Sequence, residues 1–216
     1  MLTVHHLRLS QSERILWLCE ELGLDYDLKL YTRRGDNNLA PEDYKALHPM
    51  GIAPVIEDDG PDGKIVLGES GAIIDWIVAK HAPETSLVPG PDSPDFADHL
   101  FFYHWANATF MTNGMMAPVA TRMVNGGQMP PFVADRMAKS WGIIEKRLGE
   151  ADYFGGAQLT TADIMMGFQL TTSRAMSGMG IDGMPNLKAY LQRIGERPAY
   201  RRAMEKCEPG MAPKLD

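Results

Sequence analysis

With 216 residues, 44% of them hydrophobic and 23% charged, the chain can bury one large core or two small ones, and it is too apolar for a disordered segment. A net charge of -7 without any basic cluster argues against a nucleic-acid binder. No apolar run approaches the ~20 residues that cross a bilayer, so no membrane partner is expected, and the distant Cys19 and Cys207 suit a reducing cytoplasm and no disulfide framework. The opening Met1-Leu2-Thr3-Val4-His5-His6 lacks a basic stretch leading into a long apolar one, so no secretory leader is expected.

Leu2-Thr3-Val4-His5-His6-Leu7 alternates apolar and polar residues and predicts a strand. Ile15, Leu16, Leu18, Cys19 and Leu22 then share one face of a helix over 13–23, with Ser10 or Ser12 as its cap and Gly23 as its stop. Leu28-Lys29-Leu30-Tyr31 reads as a second strand, and Pro41-Glu42-Asp43 opens a short helix. Val55-Ile56 and Lys64-Ile65-Val66-Leu67 flank Asp59-Gly60-Pro61-Asp62-Gly63, a hairpin signature. Ser70 caps a helix in which Ile73, Ile74, Ile77 and Val78 form a buried stripe. This order, β-α-β-α-β-β-α, predicts a mixed sheet with helices on its faces over residues 1–83.

Pro83 stops that unit, and residues 84–94, with Pro89-Gly90-Pro91 and Pro94, read as a linker. Residues 95–216 carry helical patterns only. One long helix is expected from about Asp95 to about Val124, interrupted at Asn125-Gly126-Gly127, and another from about Pro131 to Leu148. Thr160-Thr161-Ala162-Asp163 starts a third with a threonine and an acid that can cap it from both sides. Pro185 opens a fourth and Pro198 a fifth, which ends near Lys206.

Two segments suggest chemistry. Gly51-Ile52-Ala53-Pro54-Val55 turns into a strand, and Glu69-Ser70 ends the next strand at the mouth of a helix. A helix start carries unpaired N–H groups and partial positive charge, which suits a carboxylate, while Glu69 offers an acceptor to an ammonium. The pair fits an α-amino acid head group such as a γ-glutamyl tripeptide presents. Taken alone, the same residues also read as a turn proline and an ordinary capped helix. The six histidines show no metal-ligand spacing, and no metal is expected.

Ser10-Gln11-Ser12-Glu13-Arg14-Ile15-Leu16-Trp17-Leu18-Cys19-Glu20-Glu21-Leu22-Gly23-Leu24, His48-Pro49-Met50-Gly51-Ile52-Ala53-Pro54-Val55, Glu69-Ser70-Gly71-Ala72-Ile73-Ile74, Thr160-Thr161-Ala162-Asp163-Ile164 and Pro185 to Leu191 leading to Glu196-Arg197-Pro198-Ala199-Tyr200 follow one another in an order that resembles the glutathione transferases along nearly the whole chain. The first helix is most similar to that of serine-using bacterial and fungal members. The resemblance implies a thioredoxin-like domain followed by an all-helical one, glutathione as co-substrate, a hydrophobic electrophile, detoxification in the cytoplasm, and a homodimer. It implies Ser10 as the hydroxyl that stabilises the glutathione thiolate, with Ser12 as second choice; both also read as helix caps. It places a cis peptide before Pro54, main-chain pairing with the tripeptide at Ala53, and the γ-glutamyl end at Glu69 and Ser70. Ile52 departs from the basic or polar residue of many relatives, which leaves only its backbone to approach the ligand. Arg33, Arg34 and Lys45 are candidates for the glycine carboxylate, each also readable as a solvated surface charge. Asn107, Phe110, Met111, Gly114 and Met115 fall at helical spacing where the resemblance puts the electrophile; the stripe also reads as core. Cys19 reads as packing, and no cysteine replaces Ser10 or Ser12, which disfavours the redox-active classes. Conjugation of glutathione to electrophiles, with reduction of organic hydroperoxides as a side activity, is the function implied. A non-catalytic glutathione-binding or interaction module on the same fold is the alternative.

Overall fold

β1 (Thr3–Leu7) is an interior strand, because partners claim both of its edges in the computed structural model, which describes residues 1–124 and 127–216. β2 (Asp27–Tyr31) runs parallel to it, with Thr3 opposite Asp27 and Leu7 opposite Tyr31. β3 (Val55–Gly60) runs antiparallel, with His5 opposite Val55, and β4 (Gly63–Gly68) completes the order β2-β1-β3-β4. The alternation that predicts β1 does not mark a solvent face, since all five of its residues are buried. Val4 joins the main core, while Leu7 on the other face packs with Ala40, Val55 and Tyr44. Tyr44 comes from the short α2 (Glu42–Lys45). β3 and β4 pair as far as Gly60 opposite Gly63, so the hairpin loop is only Pro61-Asp62, tighter than the five-residue signature.

α1 (Glu13–Leu22) ends where Gly23 takes a left-handed φ of 63° and returns its N–H to the Cys19 carbonyl. Residues Glu13 to Cys19 are all buried, more than the single apolar face predicts. The reason is that α1 lies between the two halves of the molecule, against α3 (Ser70–His81) on one side and α7 (Thr161–Leu170) and α10 (Pro198–Cys207) on the other. Trp17 meets Tyr200 edge-on at 4.9 Å. A Cβ on Gly167 of α7 would come within 2.8 Å of the Trp17 ring, so that helix approaches α1 only because a glycine stands there.

The long helix expected over 95–124 is three segments: α4 (Phe96–Trp105), a π-helical turn (Ala106–Met111) and α5 (Thr112–Met123). The wider turn rotates the residues that follow relative to a regular helix, and such turns recur at functional sites. Of the expected interruption, Asn125 and Gly126 lie outside the described residues. α6 (Pro131–Glu150), α8 (Thr172–Ser177) and α9 (Pro185–Glu196) complete the helical part. The start of α7 carries the reciprocal cap: Thr160 Oγ1 accepts from the Ala162 N–H at 3.3 Å and Asp163 Oδ2 from the Thr160 N–H at 2.9 Å. α8 is set off from α7 at Thr171, a break not evident from the sequence pattern.

One apolar core runs from the sheet (Val4, Ile56) through α1 and α3 (Leu16, Ile74) into the helices (Phe102, Phe154, Ile164, Leu191). The architecture is a thioredoxin-like N-terminal sheet domain followed by a helical C-terminal domain, as the resemblance implies. Among the described residues no helix is long and apolar enough to cross a membrane.

Candidate functional site

The loop from β1 to α1 lies on the edge of a cleft of about 1000 Å³ between the sheet domain and the helical domain. Ser10 and Gln11 line it, together with Leu9, Arg33, Lys45, Gly51, Ile52 and Ala53 from the sheet side. Ser12 does not line it. Its hydroxyl is fully buried behind Ser10, 2.7 Å from the Ser10 oxygen and 2.8 Å from His6 Nδ1, and accepts the Leu7 N–H at 3.2 Å. Neither hydroxyl caps α1 in the ordinary way. Ser12 is the N-cap residue but makes no side-chain capping bond. The N–H groups of Glu13, Arg14 and Ile15 pair instead with the carbonyls of Ser10, Gln11 and Ser12. The N–H groups of residues 13–15 are therefore taken, and what the start of α1 still offers a negative charge is its dipole.

The loop is held in an unusual shape. Leu9 has a φ of 55°, a left-handed conformation that non-glycine residues seldom adopt. Glu208, in the segment after α10, accepts the Leu9 N–H at 2.5 Å and Arg8 Nε at 2.9 Å. Arg33 donates from Nε to the Arg8 carbonyl and from Nη2 to the Leu9 carbonyl, both at 2.9 Å, and from Nη1 to the Asn38 carbonyl at 3.0 Å. Arg33 is thus a clamp on the loop rather than a solvated charge. Arg34 is exposed and pairs with Asp36 and Glu42, away from the cleft. Lys45 lines the cleft while pairing with Glu42 at 2.9 Å.

The Ala53–Pro54 peptide is cis. Ala53 faces the cleft, and its main-chain groups enter no hydrogen bond among the described residues. Pro54 itself is buried beneath it and does not line the cleft. Glu69, exposed at the start of α3, holds a φ of 70°. A non-glycine residue in that region carries strain of about 1–3 kcal/mol, and such residues concentrate where a ligand is held. Ser70 is buried, and its oxygen accepts from Arg14 Nη1 at 3.1 Å.

Arg14 is a buried hub that the apolar reading of α1 overlooks. Nη1 also donates to Gln11 Oε1 at 2.6 Å and Asn107 Oδ1 at 2.9 Å, and Nη2 to Gln169 Oε1 at 2.6 Å. It therefore joins the cleft loop, the start of α3, the π-helical turn and α7. Burial draws its pKa down, and it remains charged at neutral pH. Next to it Glu13 is wholly buried, accepting the Thr172 hydroxyl at 2.6 Å and the Thr171 hydroxyl at 3.4 Å. Burial pushes its carboxyl up to about 7 despite those bonds and the Arg14 charge.

The helical wall differs in kind. Phe110, Met111, Gly114 and Met115 line the cleft, joined by Met129, Met137, Trp141, Met176 and Met179. Phe110 is anchored, stacked on Trp105 at 5.0 Å and meeting Trp141 edge-on at 5.0 Å. Asn107 does not line the cleft: it sits within the π-helical turn and is committed to Arg14. Glu69 and Ser70 also lie outside this lining, and Ser70 connects to it through Arg14 and Gln11. Cys19 is buried in the core, its thiol pushed up to about 12 by burial, which makes it an unreactive packing residue.

Sequence reasoning missed His6, Arg33 as a clamp, Arg14 and Glu208. The available signal was that Glu13-Arg14 falls inside an otherwise buried helix; Glu208 gives no local sign, since its partner His6 is 202 positions away.

A thioredoxin-like sheet domain carrying this serine loop and joined to a helical domain across an apolar cleft is the two-domain class that the resemblance to glutathione transferases implies. Residues 10–80 match the family description "Glutathione S-transferase, N-terminal domain" and residues 120–202 match "Glutathione S-transferase, C-terminal domain". A solved glutathione S-transferase from Actinobacillus pleuropneumoniae is 33% identical, with 96% of this chain and 93% of that chain covered and a TM-score of 0.83. "Glutathione S-transferase 3" of Schizosaccharomyces pombe is 28% identical over 96% of this chain and 88% of its own length. The theta class enzyme of Xanthomonas axonopodis pv. citri, solved with glutathione bound, is 26% identical, covers 94% of this chain and 96% of its own, and has a TM-score of 0.65. The chain belongs to the glutathione S-transferase family and is a glutathione transferase.

Proposed function

We propose that this transferase joins the glutathione thiolate to hydrophobic electrophiles in the cleft, with Ser10 as the hydroxyl that holds the charged sulfur. One observation carries the choice: of the two serines at the head of α1, only Ser10 opens on the cleft. A free thiol with a pKa of about 8.5 is only a few per cent ionised at neutral pH. Lowering it by about 2 units takes roughly 2.7 kcal/mol, which one charge-assisted hydrogen bond and a helix dipole can supply. The free main-chain groups of Ala53 support pairing with the tripeptide backbone there, with Ile52 contributing only its backbone. The strained Glu69 and the start of α3 at Ser70 support the γ-glutamyl end as their ligand. Phe110, Met111 and Met115 form an apolar, adaptable wall for the electrophile, and organic hydroperoxides are a second substrate class. A homodimer in the cytoplasm, acting in detoxification, completes the reading.

The test is glutathione-dependent turnover of a chloronitrobenzene-type electrophile. Ser10→Ala is expected to lower kcat about 100-fold while the glutathione Kd stays within about twofold. Tight glutathione binding with no turnover across a broad electrophile panel would contradict catalysis and favour a binding module.

A further inference from the structure

Behind Ser10 runs a chain of buried polar groups that the serine's own role does not require. Ser10 Oγ lies 2.7 Å from Ser12 Oγ, Ser12 Oγ lies 2.8 Å from His6 Nδ1, and His6 Nε2 lies 3.4 Å from Glu208 Oε1. His6 and Ser12 are fully buried, and Glu208 is 2% exposed. The proton positions follow from the partners. An ionised carboxylate only accepts, so the imidazole N–H facing Glu208 is on Nε2 and Nδ1 carries the lone pair. Ser12 then donates to Nδ1, and its oxygen accepts the Leu7 N–H and the Ser10 hydroxyl. Ser10 in turn accepts the Ser12 N–H at 3.3 Å. Its one uncommitted position is therefore a lone pair, and because Ser10 lines the cleft the resting hydroxyl meets an incoming thiol as an acceptor.

We infer that Ser10, Ser12 and His6 form a proton relay that removes the thiol proton of the bound tripeptide and leaves it on His6, with Glu208 holding the resulting imidazolium. This rests on the reading of Ser10 given above. The S–H bond breaks as its proton passes to Ser10 Oγ. The proton Ser10 already carried passes to Ser12 Oγ, and the Ser12 proton forms a bond to His6 Nδ1. No co-reactant is needed, and charge is conserved as a thiolate and an imidazolium. The same three transfers leave the Ser10 hydroxyl pointing at the sulfur as a donor, the state that stabilises a thiolate. His6 and Glu208 act through the serines and are positioning residues, with Ser10 the group that touches the sulfur.

The surroundings suit this task. Burial alone would raise the Glu208 carboxyl, but His6, the Leu9 N–H and Arg8 more than offset it and hold it below the ordinary carboxylate range. The other groups facing the pair are few. Arg8 bonds Glu208, while Glu13 of α1 and the Cys207 thiol of α10 lie within its electrostatic reach. On β2 the residue opposite His6 is the apolar Leu30.

The experiment follows the ultraviolet absorbance of the thiolate of bound glutathione against pH in the unaltered protein and in His6→Gln, Ser12→Ala, Ser12→Thr and Glu208→Gln. Glutamine at position 6 keeps an acceptor for Ser12 but has no basic nitrogen, so a merely structural role survives the change. Expected are a rise of about one pH unit in thiol ionisation for His6→Gln and Ser12→Ala, with kcat at neutral pH about tenfold lower and the glutathione Kd within about twofold. Ser12→Thr keeps the hydroxyl and restores the unaltered profile, and Glu208→Gln shifts it upward by about half a unit. Ionisation at the unaltered pH in His6→Gln and Ser12→Ala, with glutathione bound, overturns the relay and leaves the Ser10 reading standing. Absence of a bound thiolate in the unaltered protein overturns both. Should either variant at position 6 or 12 fail to fold, Glu208→Gln decides alone, and an unchanged profile there overturns the relay.

Discussion

On the sheet side of the cleft the loop from Arg8 to Ser12 is tied down at the Arg8 and Leu9 carbonyls by Arg33, at the Leu9 N–H by Glu208 and at the Ser12 hydroxyl by His6. On the helical side Met115 is 65% exposed, Met176 58% and Met129 41%, with no polar partner among the described residues to fix them. In the proposed reaction the first wall has to hold a single atom in a single place, since a displaced hydroxyl would lose its hold on the sulfur steeply. The other is built from unbranched, polarisable side chains that refill whatever space a ligand leaves. The contrast suits a reaction with one constant partner and one variable partner.

The largest test of the rigid wall is Arg14→Met. The methionine fills similar space but leaves the side-chain oxygens of Ser70, Asn107 and Gln169 without their donor and Glu13 without its neighbouring cation. Urea unfolding is expected to show a loss of about 3–5 kcal/mol. A loss below about 1 kcal/mol would show that Arg14 does not join the two domains.

Glu13 gives a test in pH. A carboxyl that binds its proton more tightly in the folded state stabilises the fold at low pH and loses that contribution as the pH rises through its folded value. For Glu13 the window runs from the ordinary 4.5 up to about 7. The unaltered protein should lose between about 1 and 3 kcal/mol from this group across that window, and Glu13→Gln should remove that slope. Thermal unfolding from pH 5 to 8 checks it, and parallel pH profiles for the two proteins would refute it.

The smallest expected effect belongs to the pliable wall. Met115→Ala should change stability by less than about 0.5 kcal/mol and leave the glutathione Kd unaltered, while KM for a bulky apolar electrophile rises about threefold. An equal loss for glutathione would mean that the two walls do not act separately.

Much of this contrast can be read in the sequence, but unevenly. β1, α1, the hairpin and the Thr160–Asp163 cap are local patterns, and each forms close to where its residues predict, as does the cis Ala53–Pro54 turn. The rigid wall's supports are not local. Arg33 reads as a surface charge until the loop carbonyls of Arg8 and Leu9 are brought to it. Glu208 meets the loop only once α10 has packed on α1. Asn107 shares a helical stripe with Phe110 and Met111 in the sequence, but it lies in a π-helical turn and is bound to Arg14, outside the cleft lining.

The most direct measurement is the pH at which the thiol of bound glutathione ionises in the unaltered protein and in Ser10→Ala. Ionisation about 2 pH units below that of the free thiol, returning nearly to the free value in the variant, is the expected result. The same ionisation in both proteins, with glutathione bound equally well, would contradict the role given to Ser10.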